Sequence, residues 1–145
     1  MRYFLDTEFN GFGGELISIG VVSEDDSSPP FYEAVECANP TTWVNANVVP
    51  ALQTRPRPLR EVAREFAEYL QHDPEPIIIA DWPEDIAHAA RLLTDDRAGR
   101  LLASGVRFDL LAASSFSSEA RSQVPHNAYY DALALRDWVL AGEAS

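Results

Sequence analysis

Positive charge is scarce in this sequence: 11 Lys and Arg stand against 23 Asp and Glu, a formal net charge of −12 over 145 residues. That balance argues against a protein that grips long nucleic acid through a broad basic face. It leaves room for one that meets phosphates through bound cations. Cysteine is nearly absent too. Cys37, the single cysteine, can form neither an internal disulfide nor a cysteine-rich zinc site. No run approaches the roughly 18 apolar residues of a membrane-spanning helix. The start Met1-Arg2-Tyr3-Phe4-Leu5-Asp6 turns acidic too soon for a signal peptide. Together these absences predict a soluble cytoplasmic protein. What remains is globular in composition, with 46% hydrophobic, 10% aromatic and 23% charged residues. The length suits one domain over residues 1–145, burying about two-thirds of the surface that the unfolded chain exposes.

The pattern along the chain predicts β-β-β-α-β-α-β-α. Arg2 to Phe9 is rich in aromatic and β-favouring residues, and Leu16 to Val22 is a nearly continuous apolar run that fits a strand covered on both faces. The glycine-dense Asn10 to Gly14 must turn between them. After the breaker Glu24 to Pro30, Phe31 to Cys37 completes an antiparallel meander. Asn39 to Pro58 carries Pro40, Pro50, Pro56 and Pro58 with no helical period, and reads as a long loop over one face. Leu59 to Leu70 is the clearest helix, with Leu59, Val62, Ala63, Phe66 and Leu70 on one stripe. Ile77 to Ala80 is a short buried strand. Asp81-Trp82-Pro83-Glu84 then reads as a helix start, with Asp81 as N-cap, Glu84 as its capping-box partner and Pro83 in the first turn. A strand over Val106 to Leu111 and a last helix from Ala128 to Leu140, capped by Asn127, finish the chain. The expected architecture is α/β: a five-stranded mixed sheet, meander first and β-α units after, flanked by helices.

Three places concentrate acids. Asp6 and Glu8 lie two apart toward the carboxyl end of the first strand, so both side chains leave one face. Neighbouring carboxylates repel, the more so when buried. A divalent cation compensates most directly; the plain alternative is a strand end with both acids in water. Asp85 follows a buried strand and lies in the first turn of a helix, where its side chain can point back over the sheet edge. Asp81 competes for that role, but the cap already occupies it, so Asp85 is the favoured ligand. Third, His126 precedes the last helix and Asp131 lies about one turn inside it. A loop imidazole and a helical carboxylate can converge across that distance, and a histidine takes a proton from water near neutral pH. Either one alone would be an ordinary capping or surface residue. His72 and His88 have no such acidic surroundings and are given no role.

The order D-x-E, then Asp in a later β-α unit, then H-x-x-x-x-D opening the final helix resembles the DEDDh branch of 3′-to-5′ exonucleases. The opening Arg2 to Phe9 and the compact length look like a narrower group, small bacterial exoribonucleases of the RNase AS type. Two neighbours depart from the family pattern: Asp81 stands where Asn is common, and Glu84 where an aromatic residue is common. The resemblance implies a ribonuclease-H-like fold. It also implies catalytic residues Asp6, Glu8, Asp85, His126 and Asp131, with two Mg²⁺ or Mn²⁺ ions held by Asp6, Glu8, Asp85 and Asp131. Such hard cations suit an all-carboxylate cage. Asp6 would bridge the ions and His126 would act as general base.

The implied reaction is hydrolysis of single-stranded RNA from its 3′ end, releasing nucleoside 5′-monophosphates, in an enzyme that is frequently a homodimer. Thr7, Glu8, Phe9, Trp82 and His126 are the candidate substrate contacts, Glu8 toward a terminal 2′-hydroxyl. Phe9, Phe12, Trp43 and Trp82 are candidate platforms for stacked bases, with core packing the stronger reading for Phe9. Two other readings compete. One is a DNA-directed or internally cutting metal nuclease of the same fold. The other is a non-catalytic acidic protein that docks on a basic partner, which the runs Glu24-Asp25-Asp26 and Asp95-Asp96 would serve.

Overall fold

The computed structural model describes residues 1–95, 100–103 and 105–145, with the backbone alone for Asp95 and Arg100. Asp96, half of the second acidic run, lies outside the described residues. Strands β1 (Arg2–Phe9), β2 (Leu16–Ser23) and β3 (Phe31–Ala34) form the expected antiparallel meander. Helix α1 (Thr42–Asn47) and a 3₁₀ turn (Val49–Ala51) precede α2 (Leu59–Leu70), β4 (Ile77–Ala80) and α3 (Pro83–Leu92). A two-stranded hairpin, β5 (Thr94–Asp95) with β6 (Arg100–Leu101), leads to β7 (Arg107–Leu110), the short α4 (Ser118–Arg121) and α5 (Ala128–Glu143). The main sheet has the order β3-β2-β1-β4-β7, with β4 parallel to both β1 and β7. This is an α/β fold on a five-stranded mixed sheet flanked by helices. Among the described residues no helix is long and apolar enough to cross a membrane.

Alternation along β1 assigns its side chains to two layers. Tyr3 and Leu5 face α2 and α3, packing with Ile19, Val21, Val62, Phe66, Leu70, Ile78 and Ala89. Phe4 faces α5, packing with Val22, Ile79, Ala132 and Leu135. Helices therefore cover the central strand on both sides, and α3 and α5 begin near its carboxyl end.

The segment Asn39 to Pro58 is not the bare loop that its prolines predict. Thr41 caps α1, its hydroxyl accepting from the Val44 amide at 3.2 Å. Val44 and Val48, four apart, bury against Ile17, Ala34 and Leu52. A single turn of helix with only two buried anchors is too short for a periodic signal, and tertiary packing decides it. β3 ends at Ala34, short of the expected Cys37, and α5 runs three residues past the expected Leu140.

Gly20 fixes the approach of α5. It lies opposite Asp6 in the β1–β2 register. A Cβ there would come within 2.3 Å of the Ala128 backbone. The absence of a side chain lets the first turn of α5 rest on the sheet. Gly20→Ala should therefore cost about 3 kcal/mol or more, roughly 10 °C of melting temperature in a domain of this size. Gly142→Ala, in the same helix with no atom within 4 Å of the new Cβ, should be neutral or stabilising by up to about 1 kcal/mol. Thermal melts of the two variants compare them directly.

Candidate metal centre

Asp6 and Glu8 leave the α5 face of β1, while Thr7 between them leaves the opposite face toward α3. Asp85, in the first turn of α3, is turned back to the strand by two hydrogen bonds to its Oδ1. The Thr7 hydroxyl donates at 2.6 Å and the Thr7 amide at 3.1 Å. From the other side Asn127 caps α5, its side-chain oxygen accepting from the amides of Tyr129 and Tyr130. Its amide group donates to the Ala51 carbonyl at 2.7 Å, which anchors the helix start to the 3₁₀ turn. Asp131 then sits in the first turn of α5, buried, and reaches the strand.

The result is two carboxylate triads with one shared member. Oxygens of Asp6, Asp81 and Asp85 lie within 4.8 Å of one another, and so do oxygens of Asp6, Glu8 and Asp131. Asp6 Oδ2 and Asp131 Oδ1 are buried with no hydrogen-bond partner. Among the described residues no arginine pairs with any of these five acids. Buried carboxylate oxygens that lack both donor and counter-charge are costly. Their donor set, all hard oxygen, fits Mg²⁺ or Mn²⁺.

The structure brings all five expected catalytic residues to one strand end and corrects the role of Asp81. Trp82, not Asp81, occupies the N-cap of α3, with no side-chain cap bond. Asp81 is left free to join Asp6 and Asp85. Glu84 is not a capping-box partner either. It accepts from the Gly13 amide at 2.7 Å and from Trp82 Nε1 at 3.4 Å, tying the Asn10–Gly14 turn to the start of α3. Gly13 has φ +69°, which the turn requires and a glycine adopts freely.

His126 lies at the rim. Its φ of +67° is uncommon for a residue with a side chain. Its amide donates to Asp131 Oδ2 at 3.2 Å, which holds that conformation. The imidazole meets Trp43 of α1 edge to face, ring centres 5.1 Å apart. A groove of about 500 Å³ opens beside Thr7 and Glu8, walled by Phe9, Phe12, Trp43 and Trp82. Phe12, Trp43 and Trp82 are 93%, 56% and 54% exposed, an unusual outlay of apolar surface. Phe9 is half-buried and stacks on His88 at 5.2 Å, so it serves packing and groove wall together. The role of Trp43 follows from α1, which the sequence pattern did not reveal.

Burial, reinforced by like charge, makes these acids hard to ionise. Asp6 is raised well above the usual carboxylate range, first by burial and then by Asp85, Glu8, Asp131 and Asp81. Glu8 is pushed up to about 8 by burial and by Asp131 and Asp85. Asp85 is pushed up to about 7 by burial and Asp81, against the pull of its Thr7 hydrogen bond. Burial also raises Asp81 and Asp131.

Between about pH 4 and 8 the folded protein without metal binds more protons than the unfolded chain. The stability these acids contribute is thus fullest below the unfolded carboxylate values and falls as pH rises through that window. Melting temperatures in EDTA should fall from pH 5 to pH 8, and Asp6→Asn should flatten the slope. In Mn²⁺ the wild-type protein should gain stability at the high-pH end, and Asp81→Asn should reduce that gain. Set beside known proteins, the chain matches no family model and no curated protein.

Proposed function

We propose that this protein is a metal-dependent 3′-to-5′ exoribonuclease acting on single-stranded RNA ends and releasing nucleoside 5′-monophosphates. One observation carries the reading: Asp6 is common to two carboxylate triads, and its Oδ2 is buried with no hydrogen-bond partner. A shared carboxylate is what a pair of cations needs. When bound, divalent cations lower the pKa of a water and neutralise charge on the phosphate. Asp6, Glu8, Asp81, Asp85 and Asp131 are the residues that would hold them.

The chain supplies the rest. Thr7 orients the Asp85 carboxylate through two donated hydrogen bonds. His126, held against Trp43 with its backbone tied to Asp131, is the group that takes the proton from the attacking water. Trp43, Phe12 and Trp82 offer exposed ring faces to the terminal bases, each stack contributing about 1–3 kcal/mol. Glu8, which lines the groove, is placed to accept a hydrogen bond from a terminal ribose 2′-hydroxyl. The preference for RNA, the 3′ polarity and the ribonuclease-H-like assignment draw on the resemblance to DEDDh exonucleases. The order of the sheet and the convergence of the three motifs on the end of β1 are consistent with that resemblance.

With 5′-labelled single-stranded RNA and Mg²⁺ or Mn²⁺, the expected result is a ladder shortened one nucleotide at a time, slower on matching DNA and absent in EDTA. His126→Ala should lose about 10²–10⁴-fold in rate while keeping the stabilisation by Mn²⁺. Asp6→Asn should lose both. A single internal cut, or cleavage that persists in EDTA, would overturn the proposal.

A further inference from the structure

A second cavity of about 500 Å³ lies between α2 and α3. Its floor is apolar, with Leu16, Ala63 and Leu92 among the lining residues, and Arg60, Arg64 and Arg91 stand at its rim. On a chain of net charge −12 this grouping is unexpected. All 11 basic residues of the chain are arginines, and three of them meet at this one cavity. Of the three acids on helix α2, Glu61, Glu65 and Glu68, the first two are taken by Arg57. Its guanidinium pairs with Glu33, Glu61 and Glu65, the last through two bonds of 2.7 and 2.6 Å. Among the described residues Arg60, Arg64 and Arg91 have no carboxylate partner. Arg60 and Arg64, four apart on one helix, also repel each other. Glu15 is the one acid among the described residues lining the cavity, and it accepts instead from the Cys37 thiol at 3.1 Å.

The cavity neighbours the aromatic groove. Leu16, in its wall, is the cross-strand partner of Phe9, which walls the aromatic groove. His88, also in its wall, is the ring on which Phe9 stacks. Of this stacked pair, Phe9 lines one hollow and His88 the other.

We propose that this cavity holds nucleotides of the substrate strand upstream of the scissile bond, with Arg60, Arg64 and Arg91 on the phosphates and the apolar floor beneath the bases. The occupant must be anionic to suit three exposed guanidiniums and must carry flat apolar groups to cover the floor. A single-stranded nucleic acid has both at a repeat short enough to reach from the groove. Arginine suits phosphate through its planar fork of donors. The proposal rests on the nuclease reading for the identity of the strand, and predicts that substrates long enough to reach the cavity bind better than dinucleotides.

The test compares the wild-type protein with the exposed double variant Arg60→Ala/Arg64→Ala, on a dinucleotide and on an octanucleotide of RNA. In Mn²⁺ the variant should cleave the dinucleotide with unchanged kcat and KM, while KM for the octanucleotide rises about tenfold. The slope of log affinity against log salt should fall by about 1.4 for two lost phosphate contacts. Fluorescence anisotropy of the labelled octanucleotide in EDTA reads binding without turnover, and equal melting temperatures show that the variant is folded. Failure of the wild type to cleave either substrate would remove the nuclease reading, while the anisotropy would still judge the cavity. Equal octanucleotide binding by the two proteins, or wild-type binding that does not improve with length, would overturn the proposal.

Discussion

Five carboxylates brought to the carboxyl end of one central strand repel one another, and each becomes harder to ionise as water is removed. Left to itself, such a cluster opposes folding. It persists because the chain spends its packing on either side of it: Val62, Phe66 and Leu70 under one face of the sheet, Ala132 and Leu135 under the other. Partners that would relieve the repulsion cheaply are missing. Among the described residues no arginine pairs with the cluster, and two of its carboxylate oxygens are buried without a donor.

Small features set the geometry. Gly20 lets α5 come down onto the sheet opposite Asp6, and Asn127 fixes where that helix starts. Thr7 turns Asp85 inward, and Glu84 pins the glycine turn beside the groove. Each acts through one or two hydrogen bonds or one close approach. Gly20, Asn127 and Thr7 bring no charge, whereas Glu84 adds a further carboxylate beside Asp85.

Strands and long helices were legible because burial on both faces and a 3.6-residue period leave strong marks, as in Leu16 to Val22 and Leu59 to Leu70. The acid pair of β1 and the His126–Asp131 spacing were legible for a similar reason, since both follow from the regular geometry of a strand and a helix start. Helix α1 was not, because its two buried valines are too few to make a period among prolines. Asp81 was misread for a subtler reason. Asp followed three residues later by Glu fits a capping box, but Glu84 accepts from Gly13 instead, Asp81 lies beside Asp6 and Asp85, and Trp82 takes the cap position without a side-chain bond. Local capping rules see three or four neighbours, whereas this site is assembled from strand and helix ends up to 125 residues apart, Asp6 to Asp131.

The central claim is that Asp6 joins two cation sites. A crystal of the protein soaked in Mn²⁺ and measured at the manganese absorption edge tests it most directly. The account predicts two anomalous peaks, one shared by Asp6, Asp81 and Asp85, the other by Asp6, Glu8 and Asp131. A single peak away from Asp6, or none at a Mn²⁺ concentration that stabilises the fold, would contradict it.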